Sequence, residues 1–269
     1  MIADRFLNTL KEYFSMLLEQ TYDKLIAMKM FGMAAAIKER LERRDHQSLS
    51  KAEFLGLLVD DEWLYRENRK LTSRLKIAKF KQRAAAIESI DYATPRGLRK
   101  DQILELAQNR WIGAHQSILI IGPSGSGKSF LAQAFGNHAC RSGFATHYVR
   151  LPTLLNQFVQ ARAQGIYDRL LKRLAKLSVL IIDDLGLASL TDQQKQDLLE
   201  ALEERYGTGS TIVTSQLPVS DWHEYLGGGR VGDAILDRLV HNAHRIEVAS
   251  DESMRKPRPD LKDAGQSDI

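Results

Sequence analysis

The chain has 269 residues, of which 43% are hydrophobic and 27% are charged. These ordinary globular values exclude fibrous and wholly disordered proteins, and the length suffices for one large domain or two modest ones. The single cysteine, Cys140, excludes an internal disulfide, and no stretch approaches the roughly 18 consecutive apolar residues of a membrane helix. We therefore expect a reduced, cytosolic protein with no membrane span.

The net charge of +4 is unevenly distributed along the chain. Residues 1–111 carry 21 Lys and Arg against 16 Asp and Glu, a net of +5, whereas the remainder carries 17 against 18, a net of −1. Within the first part, residues 64–83 hold eight basic side chains and one acidic side chain, Glu67, a net of +7. These basic residues are Arg66, Arg69, Lys70, Arg74, Lys76, Lys79, Lys81 and Arg83.

Residues 1–90 are predicted to form an all-α domain. They contain no proline and few glycines, and their apolar residues recur at spacings of three and four. Ser50 followed by Glu53 indicates a helix that begins with a capping box. The core residues expected on that helix are Leu57, Leu58, Trp63 and Leu64.

The stretch DYATPRG, around Pro95 and Gly97, is the first strong break in the helical pattern. We expect a linker and a leading helix over residues 91–110 and a second domain over residues 111–250. Residues 251–269 are rich in charge, proline and glycine, which favours a disordered tail.

The second domain alternates short apolar runs with helical stretches, which predicts an α/β fold with a five-stranded parallel sheet covered on both faces. The expected strands are Ser117–Ile121, Ala145–Leu151, Val179–Ile182, Thr211–Thr214 and His244–Val248. The helices between them are expected to begin near Lys128, Pro152, Asp192, Ser220 and Val231.

A complete phosphate-loop motif lies between the first strand and the helix that follows. The pattern G-x-x-x-x-G-K-[ST] is formed by Gly122, Pro123, Ser124, Gly125, Ser126, Gly127, Lys128 and Ser129. Glycines let backbone N–H groups curl around phosphates, Lys128 neutralises the β and γ oxygens, and the Ser129 hydroxyl reaches Mg²⁺. A glycine-rich turn that binds nothing is the alternative, but the strand and apolar-faced helix that flank the loop favour nucleotide binding.

Two acidic residues, Asp183 and Asp184, directly follow an apolar strand. Such carboxylates hold the metal's water shell and polarise the attacking water in this class of NTPase. We assign Asp183 to Mg²⁺ and Asp184 to the water, although a longer Glu is more usual there. The alternative role, capping the next helix, suits Thr191 and Asp192 better.

Polar residues also end another apolar strand, at Thr214, Ser215 and Gln216, from which they could touch the γ-phosphate or the attacking water. Strand-end hydroxyls are also common turn formers, which stays an alternative. Arg238 follows an acid on an apolar-faced helix and could reach a neighbouring subunit's nucleotide. An ordinary salt bridge to Asp237 or Asp233 is the alternative for Arg238.

The runs GPSGSGKSFLAQAFG, IIDDLG, VTSQLP and LDRL resemble, in this order, AAA+ ATPases of the helicase-loader and initiator group. In the N-terminal half, YDKLIAMKMFGMAAAIKERL, LSKAEFLGLLVDDEW and RLKIAKFKQRAAAIESIDY are similar to the IstB family of ATP-binding proteins in insertion-sequence transposition. The resemblance spans about residues 20–250.

This resemblance implies an AAA+ fold with ATP and Mg²⁺ as cofactors. The loop from Gly122 to Ser129 would be Walker A, Asp183 and Asp184 the Walker B acids, Gln216 sensor 1 and Arg238 an arginine finger. It also implies ATP hydrolysis coupled to homo-oligomeric assembly on duplex DNA and to regulation of a cognate transposase, in the bacterial cytoplasm. Gln216 departs from the more frequent Asn, and too little chain follows the fifth strand for a full helical lid. Arg255 is a weak sensor 2 candidate.

Two basic segments are candidates for DNA contact. The first is the +7 segment, which we expect to be helical, with its apolar stripe opposite the charges. The second follows the second strand, where the resemblance to initiators implies helices that line the inside of an assembled ring or spiral. It supplies Arg162, Arg169, Lys172, Arg173 and Lys176. Solvated helix faces are the alternative, but +7 in twenty residues is costly without an anionic partner. We expect binding dominated by backbone phosphates and weakly selective for sequence.

Two other functions compete with the transposition ATPase. A replicative helicase loader would share the AAA+ domain and differ in the N-terminal domain, and the stretch AKFKQRAAAIESIDY favours transposition instead. A monomeric small-molecule kinase would share the phosphate loop, but it needs an acceptor pocket and lid arginines within one chain. This chain instead devotes a third of its length to a basic helical domain.

Overall fold

The computed structural model describes residues 16–43, 49–249 and 254. The chain divides between Ser73 and Arg74 into two compact units. Most of the predicted tail over residues 251–269 lies outside the described residues, and so does Arg255.

The first unit is helical, with α1 over residues 16–27, α2 over Phe31–Arg43 and most of α3, which runs over Lys51–Ala78. The predicted capping box is confirmed, because Ser50 N donates to Glu53 Oε2 (2.8 Å) and Glu53 N to Ser50 Oγ (3.2 Å). The Ser50 side chain and backbone together lower the pKa of Glu53.

The predicted core of α3 is correct for Leu58, which is buried, and wrong for Trp63 and Leu64, which are 66% and 53% exposed. One turn beyond Leu58 the buried position is taken by Glu62, whose carboxylate accepts a hydrogen bond from Met33 N (3.0 Å) at the start of α2. A buried polar group needs such partners. The inward face of α3 therefore follows the spacing of Leu58 and Glu62 rather than the most apolar residues.

The second unit contains the predicted five-stranded parallel sheet, in the order β2-β3-β4-β1-β5. The strands are β1 (Ser117–Ile121), β2 (Thr146–Arg150), β3 (Val179–Leu185), β4 (Ser210–Ser215) and β5 (Ala243–Glu247). β1 is buried along its whole length, as expected of a parallel strand with both faces covered. The carboxyl ends of all five strands meet at one edge of the sheet, where open α/β sheets bind ligands.

Helices cover both faces of this sheet. They are α4 (Lys100–Leu106), α5 (Arg110–Gly113), α6 (Lys128–Arg141), α7 (Leu151–Ala163), α8 (Tyr167–Ala175), α9 (Asp192–Glu203), α10 (Trp222–Tyr225) and α11 (Gly229–Val240). α6 covers one face, where Gly136 lies against Ile181. The other face carries an apolar cluster that includes Leu119, Leu180 and Val213 together with residues of α7 to α11.

The segment after α3 packs along α6 and so belongs to the second unit. α3 ends at Ala78, and Lys79 has a left-handed φ of 55°. Gln82 N donates to the Gln133 side chain (2.9 Å), and Asn137 Nδ2 donates to the carbonyl of Ala85 (2.9 Å). The structural division thus falls inside α3, before the boundary expected at residue 90. The sequence hides it, because no glycine or proline occurs between residues 57 and 94.

Within the described residues no helix follows β5. None of the described helices is both long enough and apolar enough to cross a membrane.

Candidate functional site

The phosphate loop joins β1 to α6 at the carboxyl edge of the sheet. Gly125 and Gly127 have left-handed φ values of 82° and 93°, which favour glycine. At Gly122 a Cβ atom would lie 2.0 Å from the carbonyl oxygen of Val248, so a side chain cannot fit. α6 begins at Lys128, and no side chain caps it. Its first N–H groups and its dipole therefore face the loop, as in anion sites at helix N-termini.

The Lys128 side chain is folded back onto its own loop. Its Nζ donates to the carbonyl oxygens of Gly122 (2.7 Å) and Pro123 (2.6 Å), and the residue is only 7% exposed. A buried ammonium needs such acceptors. The Lys128 ammonium, which the motif predicts to neutralise the nucleotide phosphates, is therefore held at the loop.

Asp183, at the end of β3, is a buried carboxylate surrounded by three hydroxyl groups. Its Oδ1 accepts from Ser129 Oγ (2.9 Å) and from Thr214 Oγ1, and its Oδ2 accepts from the Tyr148 hydroxyl (2.6 Å). Burial, and then the hydrogen bond to Asp183, raises the pKa of Tyr148, so the phenol stays protonated and donates. The predicted pair of Ser129 and Asp183 is thus brought together by the first turn of α6 and by β3.

Asp184 has an unusual backbone, with a φ of 67° where β3 loses regular register with β4. Its N–H donates to Thr214 Oγ1 (3.0 Å), and its Oδ2 accepts from Arg150 Nε (2.6 Å) at the end of β2. Burial is not complete, since the Asp184 side chain is 21% exposed. Neither Asp183 nor Asp184 caps a helix, because α9 is capped by Thr191.

A cavity of about 300 Å³ lies against the phosphate loop and Asp184; Asp183 does not line it and lies behind Ser129, to which it is hydrogen-bonded. From the predicted site the lining includes Ser124, Gly125, Gly127, Lys128, Ser129, Asp184 and Gln216. Gln216 is exposed there, one residue beyond β4. The cavity is of the size of a small-molecule site.

Four further polar residues of the lining were missed by the sequence interpretation, namely Gln82, Ser89, Asp91 and Arg96. All lie in the segment between α3 and α4, part of which was expected to be a linker. Hydrogen bonds to α6 and to the phosphate loop hold this segment against the second unit. No motif marked these residues; their position follows from tertiary packing.

Arg238 does not line this cavity. Its Nη2 pairs with Glu203 Oε1 on α9 (2.7 Å), and its Nη1 lies 3.2 Å from Asp237 Oδ2. The guanidinium is also 5.6 Å from the Tyr206 ring centre, and the side chain is 25% exposed. The salt bridge to Asp237 considered from the sequence is present, whereas Asp233 is bonded to His223 instead.

The basic residues of α7 and α8 fall into two groups. Arg162, on α7, is held by Asp197 on α9 (2.6 Å) and stacks on Tyr167. The second group is exposed and forms no ion pair among the described residues; it borders a groove between α7 and α8 and consists of Arg169, Lys172, Arg173 and Lys176. Three glutamine side chains, of Gln157, Gln160 and Gln164, border the same groove. The groove thus has the chemistry of a phosphate-binding surface.

The +7 segment is likewise not uniform. Arg66 pairs with Glu62, Lys70 pairs with Glu67, and Arg74 Nε donates to the carbonyl oxygen of Cys140 (2.9 Å). Exposed side chains without an ion pair among the described residues are those of Arg69, Lys76, Lys79, Lys81 and Arg83. The helix expected over the whole segment is wrong beyond Ala78, because Lys79 leaves the helical conformation.

Solved structures share the fold of the second unit. The DnaC helicase loader superposes with a TM-score of 0.52 and 19% identity, over 61% of this chain and 97% of that chain. DnaA from Aquifex aeolicus, bound to AMPPCP, superposes with a TM-score of 0.53 and 19% identity, over 64% of this chain and 52% of that chain. The fold is thus that of AAA+ proteins.

Sequence comparison reaches further along the chain. The insertion sequence ATP-binding protein y4pL of Sinorhizobium fredii is 48% identical over 241 residues, 90% of this chain and 98% of that protein. The IS21 ATP-binding protein of Pseudomonas aeruginosa is 29% identical over 224 residues, 83% and 84% of the two chains. The family described as IstB-like ATP binding protein matches residues 23–260. This chain belongs to the family of IstB-like ATP-binding proteins.

Proposed function

We propose that this protein hydrolyses ATP, assembles on duplex DNA without strong sequence preference, and helps a partner transposase in the bacterial cytoplasm. The observation that carries the proposal is the cavity at the carboxyl edge of the sheet. There the phosphate loop with Lys128 meets the Ser129–Asp183 pair, Asp184 and Gln216. Phosphoryl transfer needs positioning and charge more than covalent chemistry, and these residues supply both.

The phosphate groups of ATP would be held by the loop and by α6. The backbone N–H groups of the loop and the first turn of α6 donate to phosphate oxygens. Lys128 then exchanges the carbonyl oxygens of Gly122 and Pro123 for the β and γ oxygens of the nucleotide. Those carbonyl bonds, at 2.7 and 2.6 Å, keep the ammonium in place before the nucleotide arrives.

The oxygen donors at Ser129 and Asp183 fit Mg²⁺. A hydroxyl and a carboxylate, 2.9 Å apart, are the hard ligands that this ion prefers, and it usually keeps several waters of its own. The Ser129 hydroxyl would bind the ion, and the Asp183 carboxylate would hold one of its waters. When bound, the ion neutralises charge on the β and γ phosphates.

The remaining side chains act on the attacking water and on the γ-phosphate. The Asp184 carboxylate accepts a hydrogen bond from this water and orients it towards the γ-phosphorus. The Gln216 amide, one residue beyond β4, donates to a γ-phosphate oxygen. The new bond joins the water oxygen to phosphorus while the bond to ADP breaks, and the proton of the water passes to Asp184 or to phosphate.

Substitution of Lys128 tests the nucleotide mechanism. We expect Lys128→Ala to lower hydrolysis at least about 100-fold and to prevent assembly that depends on nucleotide, because the loop no longer places an ammonium at the phosphates. Steady-state phosphate release and sedimentation measure the two effects. Lys100→Ala, an exposed lysine on α4, is the matched control and should behave as wild type. Turnover retained by Lys128→Ala would remove the mechanism.

The proposed contact with DNA is supported by the proximity of both basic segments to one side chain, the imidazole of His147. His147 Nδ1 lies 2.9 Å from the carbonyl oxygen of Ile77, near the end of α3. Burial first, and then the charges of Lys79 and Arg173, lowers the pKa of His147. Lys79 and α8 therefore flank the same residue, which favours one continuous basic surface on the second unit.

The role in transposition is supported by the relatives, which are named for insertion sequences. The likeness to the DnaC helicase loader, at 19% identity, supports the fold alone. ATPase rate and sedimentation, each with and without duplex DNA, test the proposal. We expect DNA to raise the rate and to promote assembly, whereas a small-molecule kinase would respond to neither. Equal values with and without DNA would contradict the proposal.

A further inference from the structure

Arg96 is a buried cation beside the phosphate loop. It is 4% exposed, and it follows Pro95 in the segment between α3 and α4. Its Nη1 donates to the carbonyl oxygen of Ser126 in the loop (3.1 Å), and its Nη2 donates to the carbonyl oxygen of Asp91. Its backbone carbonyl accepts from Ala249 N (2.9 Å), just after β5. One residue thus joins the 91–96 segment and the end of β5 to the loop.

The bond to Ser126 acts on the peptide unit that Ser126 shares with Gly127. In a trans peptide the C=O and N–H groups point in opposite directions, so holding the Ser126 oxygen also fixes the direction of the Gly127 N–H. Gly127 has a φ of 93°, and a Cβ atom there would lie 2.8 Å from Arg96 Nη1. The loop at Gly127 and the Arg96 side chain are therefore closely packed.

Two buried polar atoms in this region have no hydrogen-bond partner among the described residues, Arg96 Nε and Ser126 Oγ. Orphaned buried donors are rare in native proteins. The Asp91 carboxylate accepts hydrogen bonds from Thr94 Oγ1 and Ala93 N and none from Arg96 Nε. Because Arg96 also borders the nucleotide cavity, its charge and its spare donor lie where an anion would be accommodated.

We infer that Arg96 is a positioning residue for nucleoside polyphosphates, which bridges the Asp91 and Ser126 carbonyls and so presets the Ser126–Gly127 peptide of the phosphate loop. This inference rests on the proposed nucleotide site. If Arg96 has this role, its substitution weakens the binding of ATP and of ADP to a similar extent, because both nucleotides place phosphates in the loop.

Equilibrium binding of fluorescent ATP and ADP analogues to the full chain tests the inference. We expect Arg96→Ala to weaken both about 10-fold or more, since a hydrogen bond to a charged donor is lost. Arg96→Lys should weaken both as well, because one ammonium on a flexible stem does not reproduce the planar fork that holds two carbonyls. Arg96→Lys also retains the positive charge, so this variant carries the test if Arg96→Ala fails to fold.

Chemical rescue separates positioning from a general loss of structure. Guanidinium ion at about 20 mM, far below denaturing concentrations, should restore part of the affinity of Arg96→Ala, whereas an equal concentration of NaCl should not. Arg99→Ala is the matched control, since Arg99 lies in the same segment and its side chain is 71% exposed.

Wild-type affinity in Arg96→Lys, or a loss in Arg96→Ala that guanidinium does not relieve, would overturn the inference. If wild type and Arg99→Ala themselves fail to bind ATP, the nucleotide site is wrong. If both bind and the Arg96 variants bind equally well, only the inference fails.

Discussion

The ion pair between Arg150 and Asp184 constrains the carboxylate that is proposed to orient water. Asp184 Oδ2 lies 2.6 Å from Arg150 Nε, and the backbone of Asp184 is held in a left-handed conformation by a bond to Thr214. A carboxylate engaged in this way is less available to a water molecule. The geometry therefore favours a resting site in which the residue proposed to orient water is restrained.

Removing this restraint is expected to raise basal hydrolysis. For Arg150→Ala we expect the rate without DNA to rise about 2- to 5-fold, the equivalent of a partly exposed ion pair worth up to about 1 kcal/mol. Initial rates at saturating ATP measure it. Arg150→Lys keeps a charge nearby and should give a smaller rise. A fall in the basal rate in both variants would instead mean that Arg150 holds Asp184 in its working position.

At the level of single residues, the sequence was most informative where a motif states the chemistry. That Gly127, Lys128, Ser129 and Asp183 lie close together could be predicted from spacing, because the order of strand, loop and helix places them at one edge of the sheet. Arg96 and Tyr148 could not. Their roles depend on which strand or segment packs beside the loop, and that information lies in the tertiary fold rather than in local pattern.

Among the described elements, α8 carries a cluster of exposed basic side chains that form no ion pair with other described residues. Arg169, Lys172 and Arg173 are exposed, while Leu170, Leu171 and Leu174 are buried on the other side of the helix. Helix packing and an outward basic face are therefore compatible in the same nine residues.

Charge reversal on α8 should weaken DNA binding on all sequences alike. For the triple change Arg169→Glu, Lys172→Glu and Arg173→Glu, we expect affinity to fall at least about 10-fold at moderate salt. The slope of log affinity against log salt should decrease by about 0.9 for each phosphate that the variant no longer neutralises. Fluorescence anisotropy with two unrelated duplexes measures both quantities. Weaker binding to only one of the duplexes would contradict backbone recognition.

Arg162, another predicted DNA contact, is the matched control for that experiment. It is held by Asp197, which is 1% exposed and also accepts from Tyr167 and Gln193. Arg162→Ala leaves that buried carboxylate without its cation, so thermal stability should fall. The contribution of Arg162 to DNA affinity should be small by comparison, since its guanidinium is already engaged.

The end of α3 shows why element boundaries were harder to predict than element types. Charges and apolar residues continue the helical pattern beyond Ala78, and the first glycine or proline comes only at Pro95. The helix ends earlier because Phe80 and the segment up to Ala85 pack on α6, at Gly136, Gln133 and Asn137. Tertiary contacts prevailed over local propensity there.

For the whole molecule, the two-part distribution of charge parallels the two units only in outline. The +7 segment crosses the division between Ser73 and Arg74, so its last residues belong to the second unit. Lys79, Lys81 and Arg83 lie in the same segment as Gln82, which borders the nucleotide cavity. A DNA contact at these basic residues would thus be adjacent in sequence to the cavity wall. Such a contact could affect the nucleotide site through a short segment of chain.

Assembly would give Arg238 a role that a single chain does not. In one subunit its guanidinium is held by Glu203 and Asp237, outside the cavity. Partly exposed ion pairs contribute only about 0–1 kcal/mol, so a neighbouring subunit's triphosphate can displace Glu203. The Nε atom of Arg238 is buried and has no hydrogen-bond partner among the described residues.

We expect Arg238→Ala to lower hydrolysis about 10³-fold in assembled protein, the scale of an arginine finger, and Asp184→Asn to be inactive as well. Mixing the two variants should restore activity, because some interfaces then combine an intact arginine from one subunit with an intact carboxylate from the next. Rates of the mixture against each variant alone, at a concentration where sedimentation shows assembly, measure this. Glu203→Gln should lower the protein concentration needed for half-maximal rate. If no mixing ratio restores activity, Arg238 acts within its own chain.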